Sequence, residues 1–217
     1  MTLDLFAPED DIAPRSEALL PGATLLRRQA LAIDAALVAE IRDIIAVAPS
    51  RHMMTPGGFT MSVAMTSCGD LGWVTDRSGY RYDRLDPETG KPWPAMPALF
   101  RQLAMDAATA AGFANFTADS CLINLYEPGA RMSLHQDRNE RDFSQPIVSV
   151  SLGLPAVFQF GGEKRSDKTL RVPLVHGDVV VWGGPARLRF HGVLPLKPGS
   201  HPLLGTERIN LTFRKAG

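Results

Sequence analysis

The second half of this chain is a succession of short strand-like runs. Seven of them, at 121–126, 147–152, 156–160, 169–174, 178–182, 188–193 and 208–214, are apolar or alternating and are separated by turn residues. Runs this short and this close together imply two antiparallel sheets folded as a jelly roll, the cupin-like double-stranded β-helix. The last run, Arg208-Ile-Asn210-Leu-Thr212-Phe-Arg214, alternates throughout. On a strand its polar members Arg208, Asn210, Thr212 and Arg214 share one face, and Ile209, Leu211 and Phe213 share the other. One wall of the barrel would then carry two guanidiniums.

Two helices precede this core. Leu37, Ile41, Ile44 and Ala48 recur at helical spacing over 33–47, with Asp34 available as a cap and Pro49 as a stop. Over 97–111, Leu99, Leu103 and Ala107 share a face and Gly112 follows the end. The fold class is therefore mainly β with flanking helices, in a single domain over 1–217 with its core at 121–217. Residues 1–22, acidic and punctuated by proline, read as an N-terminal arm with frayed ends. Residues 50–93 mix Gly57, Gly58, Gly69, Gly72, Gly79 and Gly90 with Phe59, Met61, Met65, Trp73, Tyr80, Tyr82 and Trp93. That texture predicts short strands and loops outside the packed core.

Composition narrows the function classes. With 217 residues, 45% apolar and 21% charged, the chain suits one soluble domain, and its zero net charge gives no overall electrostatic footprint for nucleic acid. Cys68 and Cys121 lack any CxxC spacing, which fits a reduced compartment. No apolar run approaches membrane-spanning length, and the first ten residues lack a basic segment before an apolar one. A cytoplasmic protein without membrane contact is expected.

The chemistry is concentrated in His135-Gln136-Asp137 and in His191, 56 residues later. Two imidazoles and one carboxylate on a rigid scaffold make the facial triad of non-haem Fe(II) oxygenases, with positions left open for substrate and oxygen. Such enzymes commonly draw electrons from 2-oxoglutarate, a dicarboxylate that needs cationic forks to hold it. Arg208 and Arg214, the only charges of the last run, supply them. A second His-x-Asp, His176-Gly177-Asp178, opens a strand after a tight turn and is read as shaping that turn. His52 and His201 are given no role, and Trp182 is assigned to the core.

Longer blocks carry a resemblance. Thr55-Pro-Gly-Gly-Phe-Thr-Met-Ser-Val63, Cys121-Leu-Ile-Asn-Leu-Tyr-Glu-Pro-Gly129, Leu134-His-Gln-Asp137, Ile147-Val-Ser-Val-Ser-Leu-Gly-Leu-Pro155, Phe158-Gln-Phe-Gly-Gly162, His176-Gly-Asp-Val-Val-Val-Trp-Gly-Gly184 and Asn210-Leu-Thr-Phe-Arg214 resemble the AlkB family. Its members are Fe(II)- and 2-oxoglutarate-dependent dioxygenases that remove alkyl groups from damaged nucleic-acid bases. The likeness runs from Leu3-Asp-Leu-Phe6 to the C-terminus, with residues 7–20 unlike. The resemblance implies that His135, Asp137 and His191 ligate iron, and that O2 and 2-oxoglutarate are consumed. Arg208 would pair with the distal carboxylate of 2-oxoglutarate and Arg214 would support the end nearer the metal. Asn124, Leu125, Tyr126, Asn210 and Thr212 would complete that site. It further implies a nucleotide-recognition lid over 50–93, where Trp73 stacks on the extruded base opposite His135. Tyr80, Arg81 and Tyr82 would contact the nucleotide from the lid, and Arg165 would reach it from the second sheet.

The implied reaction is oxidative demethylation of 1-methyladenine and 3-methylcytosine, releasing formaldehyde, succinate and CO2. The implied partner is alkylated single-stranded DNA, with duplex DNA and RNA as further forms, met by a monomer. One position departs from the family's pattern. The founding bacterial member has Lys-Asp-Glu after the triad carboxylate, where this chain has Arg138-Asn139-Glu140. Asn139 would face the base with an acceptor oxygen but without the charge. Two other readings compete: a 2-oxoglutarate oxygenase acting on a protein or small molecule, and an inert cupin-like binding module. Only the base-repair reading needs Trp73, Tyr80 and Tyr82 together, and only the inert module predicts no decarboxylation of 2-oxoglutarate.

Overall fold

A computed structural model describes residues 14–217. The acidic cluster at 4–11 and the Leu3–Phe6 segment lie outside the described residues. The strands are β1 (Arg15–Leu20), β2 (Ala23–Arg27), β3 (Arg51–Met54), β4 (Thr60–Gly69), β5 (Gly72–Asp76), β6 (Gly79–Asp83), β7 (Ser120–Tyr126), β8 (Met132–His135), β9 (Ile147–Gly153), β10 (Ala156–Phe160), β11 (Leu170–Leu174), β12 (Val179–Trp182), β13 (His191–Val193) and β14 (Arg208–Arg214). The helices are α1 (Asp34–Val47) and α2 (Ala98–Ala110). Eight strands form one sheet in the order β1-β2-β12-β9-β14-β7-β4-β3, four form a second in the order β11-β10-β13-β8, and β5 and β6 make a separate hairpin. This is the expected jelly roll with flanking helices.

The period of two sorts side chains between two cores. Ile209, Leu211 and Phe213 of β14 join Ile123, Val148, Val150 and Val181 in a cluster with Leu37 and Ile41 of α1 and Phe100 and Leu103 of α2. The opposite faces of the large sheet supply Leu122, Tyr126, Val180 and Trp182, which meet Phe158, Phe160, Val172 and Val193 of the small sheet. Helices therefore cover the outside of the large sheet, and the polar face of β14 looks into the space between the sheets. Register fixes that face: Arg208 pairs with Tyr126 and Gly153, Asn210 with Asn124 and Ser151, Thr212 with Leu122 and Ser149.

Four expectations need correction. The arm at 1–22 is a strand from residue 15, because Ala23 and Leu25 of β2 enter the core between the sheets and carry β1 with them. Arg27 locks this corner through Asp178 (2.8 Å) and Glu17 (3.1 Å). Nor is 50–93 wholly outside the core: β4 pairs with β7, and Met53, Val63 and Met65 are buried. The glycines there mark turns around a ten-residue strand, and only β5–β6 stands apart. The run at 188–193 is a strand, β13, only over its last three residues, where it meets His135 at the end of the short strand β8. Lastly, Asp34 is the first residue of α1 rather than its cap: the N-cap position is Ile33, which makes no side-chain bond, and Asp34 accepts from Ala35 N–H and pairs with His176 (2.9 Å). The His176-Gly177-Asp178 turn is as expected: Asp178 accepts from the backbone N–H groups of Val175 and Arg28.

Candidate active site

The triad sits where the small sheet meets the loop after β8. His135 and His191 face each other as a cross-strand pair, with ring centroids 4.4 Å apart. Each Nε2 lies 3.7 Å from a carboxylate oxygen of Asp137, and one ligand atom from each residue falls within 4.8 Å of the others. Each Nδ1 is engaged by a backbone carbonyl, Ser133 O for His135 (2.8 Å) and Arg189 O for His191 (3.1 Å). Those bonds put the proton on Nδ1 and leave both Nε2 lone pairs free for a metal. Burial, followed by the nearby His135, lowers the His191 pKa to about 3, so the ring is neutral and ready to ligate. Burial would raise the Asp137 pKa, but Arg214, His191 and His135 together hold it well below the usual carboxylate range. The donor set is two imidazoles and one ionised carboxylate, which suits Fe(II).

Gly192 makes the close approach of the two ligand strands possible. A Cβ there would stand 2.6 Å from the Met132 carbonyl oxygen, at the point where the β13–β8 register shifts. Gly192→Ala is expected to cost about 1–3 kcal/mol as an overpacking substitution. Because the strain falls between the two histidines, metal affinity should drop with the melting temperature; calorimetry with and without Mn(II) checks both.

Beside the triad, the polar face of β14 lines a cavity of about 60 Å³ with Asn124, Tyr126, Ser149, Phe158 and Trp182. Arg208 is 1% exposed and donates one bond, from Nη2 to Ser151 Oγ (3.0 Å). Its Nε and Nη1 have no hydrogen-bond partner among the described residues, and neither has Asn124 Oδ1. Burial lowers the Arg208 pKa, opposed by Tyr126, whose ring lies 4.9 Å from the guanidinium. A guanidinium cannot give up its charge, and a buried one with idle donors calls for an anion. A carboxylate of 2-oxoglutarate meets that need. Asn210 is already committed, donating to Ser149 Oγ (2.8 Å) and Val150 O (2.9 Å) and accepting from Thr212 Oγ1 (2.9 Å). Leu125 points the other way and packs against the helix-side core.

Similarity to known proteins agrees with this arrangement. The family model described as the 2OG-Fe(II) oxygenase superfamily matches residues 24–214. The alpha-ketoglutarate-dependent dioxygenase AlkB of Escherichia coli strain K12 is 59% identical over 99% of this chain and 98% of its own. The chain belongs to the AlkB family. A tRNA demethylase, abh1 of Schizosaccharomyces pombe, is 34% identical over 61% of this chain and 44% of its own. The structure of OsALKBH1 superposes with a TM-score of 0.80 at 29% identity, covering 93% of this chain and 100% of that one. The AlkB-family chain is thus an Fe(II)- and 2-oxoglutarate-dependent dioxygenase. Among the described residues no helix is long and apolar enough to cross a membrane.

A groove of about 760 Å³ opens from the triad to the surface. Trp73, Tyr80, Asn139 and Arg165 line it, together with His135 and Asp137. Trp73 and Tyr80 stack at 5.8 Å, and Asn139 Nδ2 donates to Tyr80 O at 3.4 Å. Arg165 lies over Phe190 (5.1 Å) and donates to Leu134 O. Arg81 is turned aside, paired with Asp76 (2.9 Å) and Asp83 (3.6 Å). Tyr82 points inward, donating to Glu140 Oε1 (2.6 Å), and burial raises its phenol well above the ordinary value. Neither of these two lines the groove.

Several neighbours of the site escape sequence reasoning. Ser149 and Ser151 share the inner face of β9, and the alternation of Ser with Val over 147–152 was the available signal. Glu140 and Arg187 are buried beneath the Asp137 loop, 47 residues apart, and no local pattern joins them.

Proposed function

We propose that this chain demethylates alkylated nucleic-acid bases, with 1-methyladenine and 3-methylcytosine in single-stranded DNA as its main substrates. Duplex DNA and RNA are further substrate forms, and the enzyme works as a cytoplasmic monomer. The observation that carries this reading is the groove itself. A stacked aromatic pair, Trp73 and Tyr80, and three exposed arginines, Arg131, Arg138 and Arg165, converge on the same opening as the triad. Aromatic faces stack bases, and guanidiniums track phosphates. The nucleic-acid demethylase names borne by relatives support the same class of substrate.

When bound, iron with 2-oxoglutarate and O2 supplies the oxidising power that hydroxylates an N-methyl group, whose carbon then leaves as formaldehyde. The chain's own residues bind and orient. Arg208 would hold a carboxylate in the cavity beside the triad, which Trp182, Phe158 and Val193 line with apolar surface. Trp73 and Tyr80 hold the base over His135, which is part-exposed on the groove floor. A base inside a duplex cannot reach this floor, so the nucleotide must be extruded at a cost of a few kcal/mol. N1- and N3-methyl lesions block pairing and lower that cost, and single strands avoid most of it.

The test is a panel of methylated oligonucleotides, matched as single and double strands and read by mass spectrometry. Single-stranded 1-methyladenine should be converted fastest; no conversion of any methylated base by iron-loaded protein would overturn the reading. Trp73→Ala should cost at least about tenfold in kcat/KM, since stacking on one aromatic is worth about 1–3 kcal/mol. Unchanged turnover in that variant would point instead to a protein or small-molecule substrate.

Asn139 bears on selectivity. It lines the groove beside Asp137 with an acceptor oxygen and no charge. A hydrogen bond to an ionised group is about twice as strong as a neutral one. Asn139→Asp should therefore raise activity on cationic 1-methyladenine relative to neutral 3-methylthymine, by up to about tenfold if about 1.4 kcal/mol is at stake. An unchanged ratio, with both oligonucleotides measured side by side, would remove Asn139 from base recognition.

A further inference from the structure

Two of the three triad residues are held by the sheet. His135 and His191 are direct partners across the β8–β13 ladder. Asp137 is not, because it stands in an irregular segment between β8 and β9 in which residues 141–144 are exposed. Something other than backbone pairing must hold its main chain.

Arg187 occupies that place. It is 3% exposed and spreads its guanidinium over three points of the segment. Nη1 donates to Asp137 O (2.8 Å), Nη2 to Glu140 Oε2 (3.1 Å) and Nε to Gln145 O (3.0 Å). Phe143 covers the guanidinium at 5.3 Å. Arg187 lies four residues before His191, in the short turn that leads into β13. Gln136 Nε2 adds a parallel tie to Leu188 O (2.5 Å). The segment carrying Asp137 is thus fastened to the segment carrying His191, through contacts that use none of the three metal-facing atoms.

A second consequence concerns Arg214. Its guanidinium reaches Asp137 Oδ2 at 2.6 and 2.9 Å and Glu140 at 3.4 Å. Glu140 also accepts from Tyr82, so Arg187 supplies the bond that completes this carboxylate. Without Arg187, Glu140 would compete with Asp137 for Arg214 in a buried setting where unpaired charge is costly.

We infer that Arg187 is a positioning residue for the metal centre, holding Asp137 in register with the two histidines through its main-chain carbonyl and through Glu140. It touches neither metal nor substrate. The inference rests on the triad as the iron site, and that premise has its own control. Three of the five N–H donors on a flat fork make this span, and a lysine, with one ammonium, keeps the charge for Glu140 but cannot reach Asp137 O and Gln145 O together.

The experiment measures Mn(II) affinity by the loss of the free-ion electron paramagnetic resonance signal, together with thermal unfolding. It uses the wild-type chain and the Arg187→Lys, Arg187→Ala and His191→Ala variants. In Arg187→Lys the fold should persist while the Mn(II) dissociation constant rises about tenfold, the range seen when a metal ligand loses its supporting contact. Millimolar guanidinium should restore affinity to Arg187→Ala, and sodium chloride of equal ionic strength should not. A folded Lys variant whose Mn(II) affinity stays within about twofold of wild type contradicts the inference, since a lost supporting contact costs more. A Lys variant that cannot fold contradicts it as well, because the residue would then serve the whole domain. Should His191→Ala bind Mn(II) as wild type does, the triad reading would fail, whatever Arg187 does.

Discussion

His191→Ala is expected to lower turnover more than a hundredfold and to leave the fold intact. His191 is buried, paired across the sheet with His135, and neutral, with Nε2 aimed at the Asp137 carboxylate. Alanine keeps the strand but removes one of the three side chains grouped to hold a metal. Losing a contact that merely supports a ligand costs about 10- to 100-fold in affinity or activity, so losing the ligand itself should cost more. The variant also opens a cavity beside Trp182, whose ring is 5.0 Å from the imidazole, so a modest fall in melting temperature is expected too. Circular dichroism, Mn(II) binding and demethylation of 1-methyladenine oligonucleotide check the three parts. More than a few per cent of wild-type turnover with iron bound would sink the assignment of His191.

Arg208→Ala should act on the cosubstrate instead. Arg208 is buried with two idle donors and lines the cavity beside the triad, so a 2-oxoglutarate carboxylate there would make a charge-assisted, bidentate contact. Removing it should cost about 1.5–3 kcal/mol, or roughly 10- to 100-fold in 2-oxoglutarate affinity. Turnover at saturating 2-oxoglutarate should change far less, because the triad and the groove are untouched. The loss of a buried, poorly paired cation should also not destabilise the fold, and replacement by an apolar side chain can even stabilise it. Titration of the apparent KM for 2-oxoglutarate separates the cases, and an unchanged value would mean that the guanidinium serves only the sheet.

What the sequence revealed and what it hid follow from the range of each interaction. Arg208 to Arg214 was legible as a strand with one polar face, because alternation is a local property and β14 alternates at every position. His135, Asp137 and His191 were legible because metal chemistry restricts residue type and order. The two helices were recovered within a residue or two, since their apolar spacing is set by cores on one side only. Strand β2 was hidden by the acidic and proline-rich residues before it, and β4 by glycines that belong to its ends. Strand β8 is too short to alternate visibly, and its pairing with β13 is a tertiary event. Glu140, Arg187 and Tyr82 were out of reach for the same reason: their shared network joins residues 47 and 58 positions apart. The inward turn of Tyr82, against the expectation that it contacts nucleotide, is decided by that network.

The central claim is that iron, 2-oxoglutarate and a methylated base meet at one site. Its most direct test incubates purified, iron-loaded protein with single-stranded oligonucleotide carrying 1-methyladenine, and measures repaired base, succinate and formaldehyde in the same reaction. The account predicts all three in equal amounts, dependent on 2-oxoglutarate and O2. Succinate formed without loss of the methyl group, or no succinate at all, would contradict it.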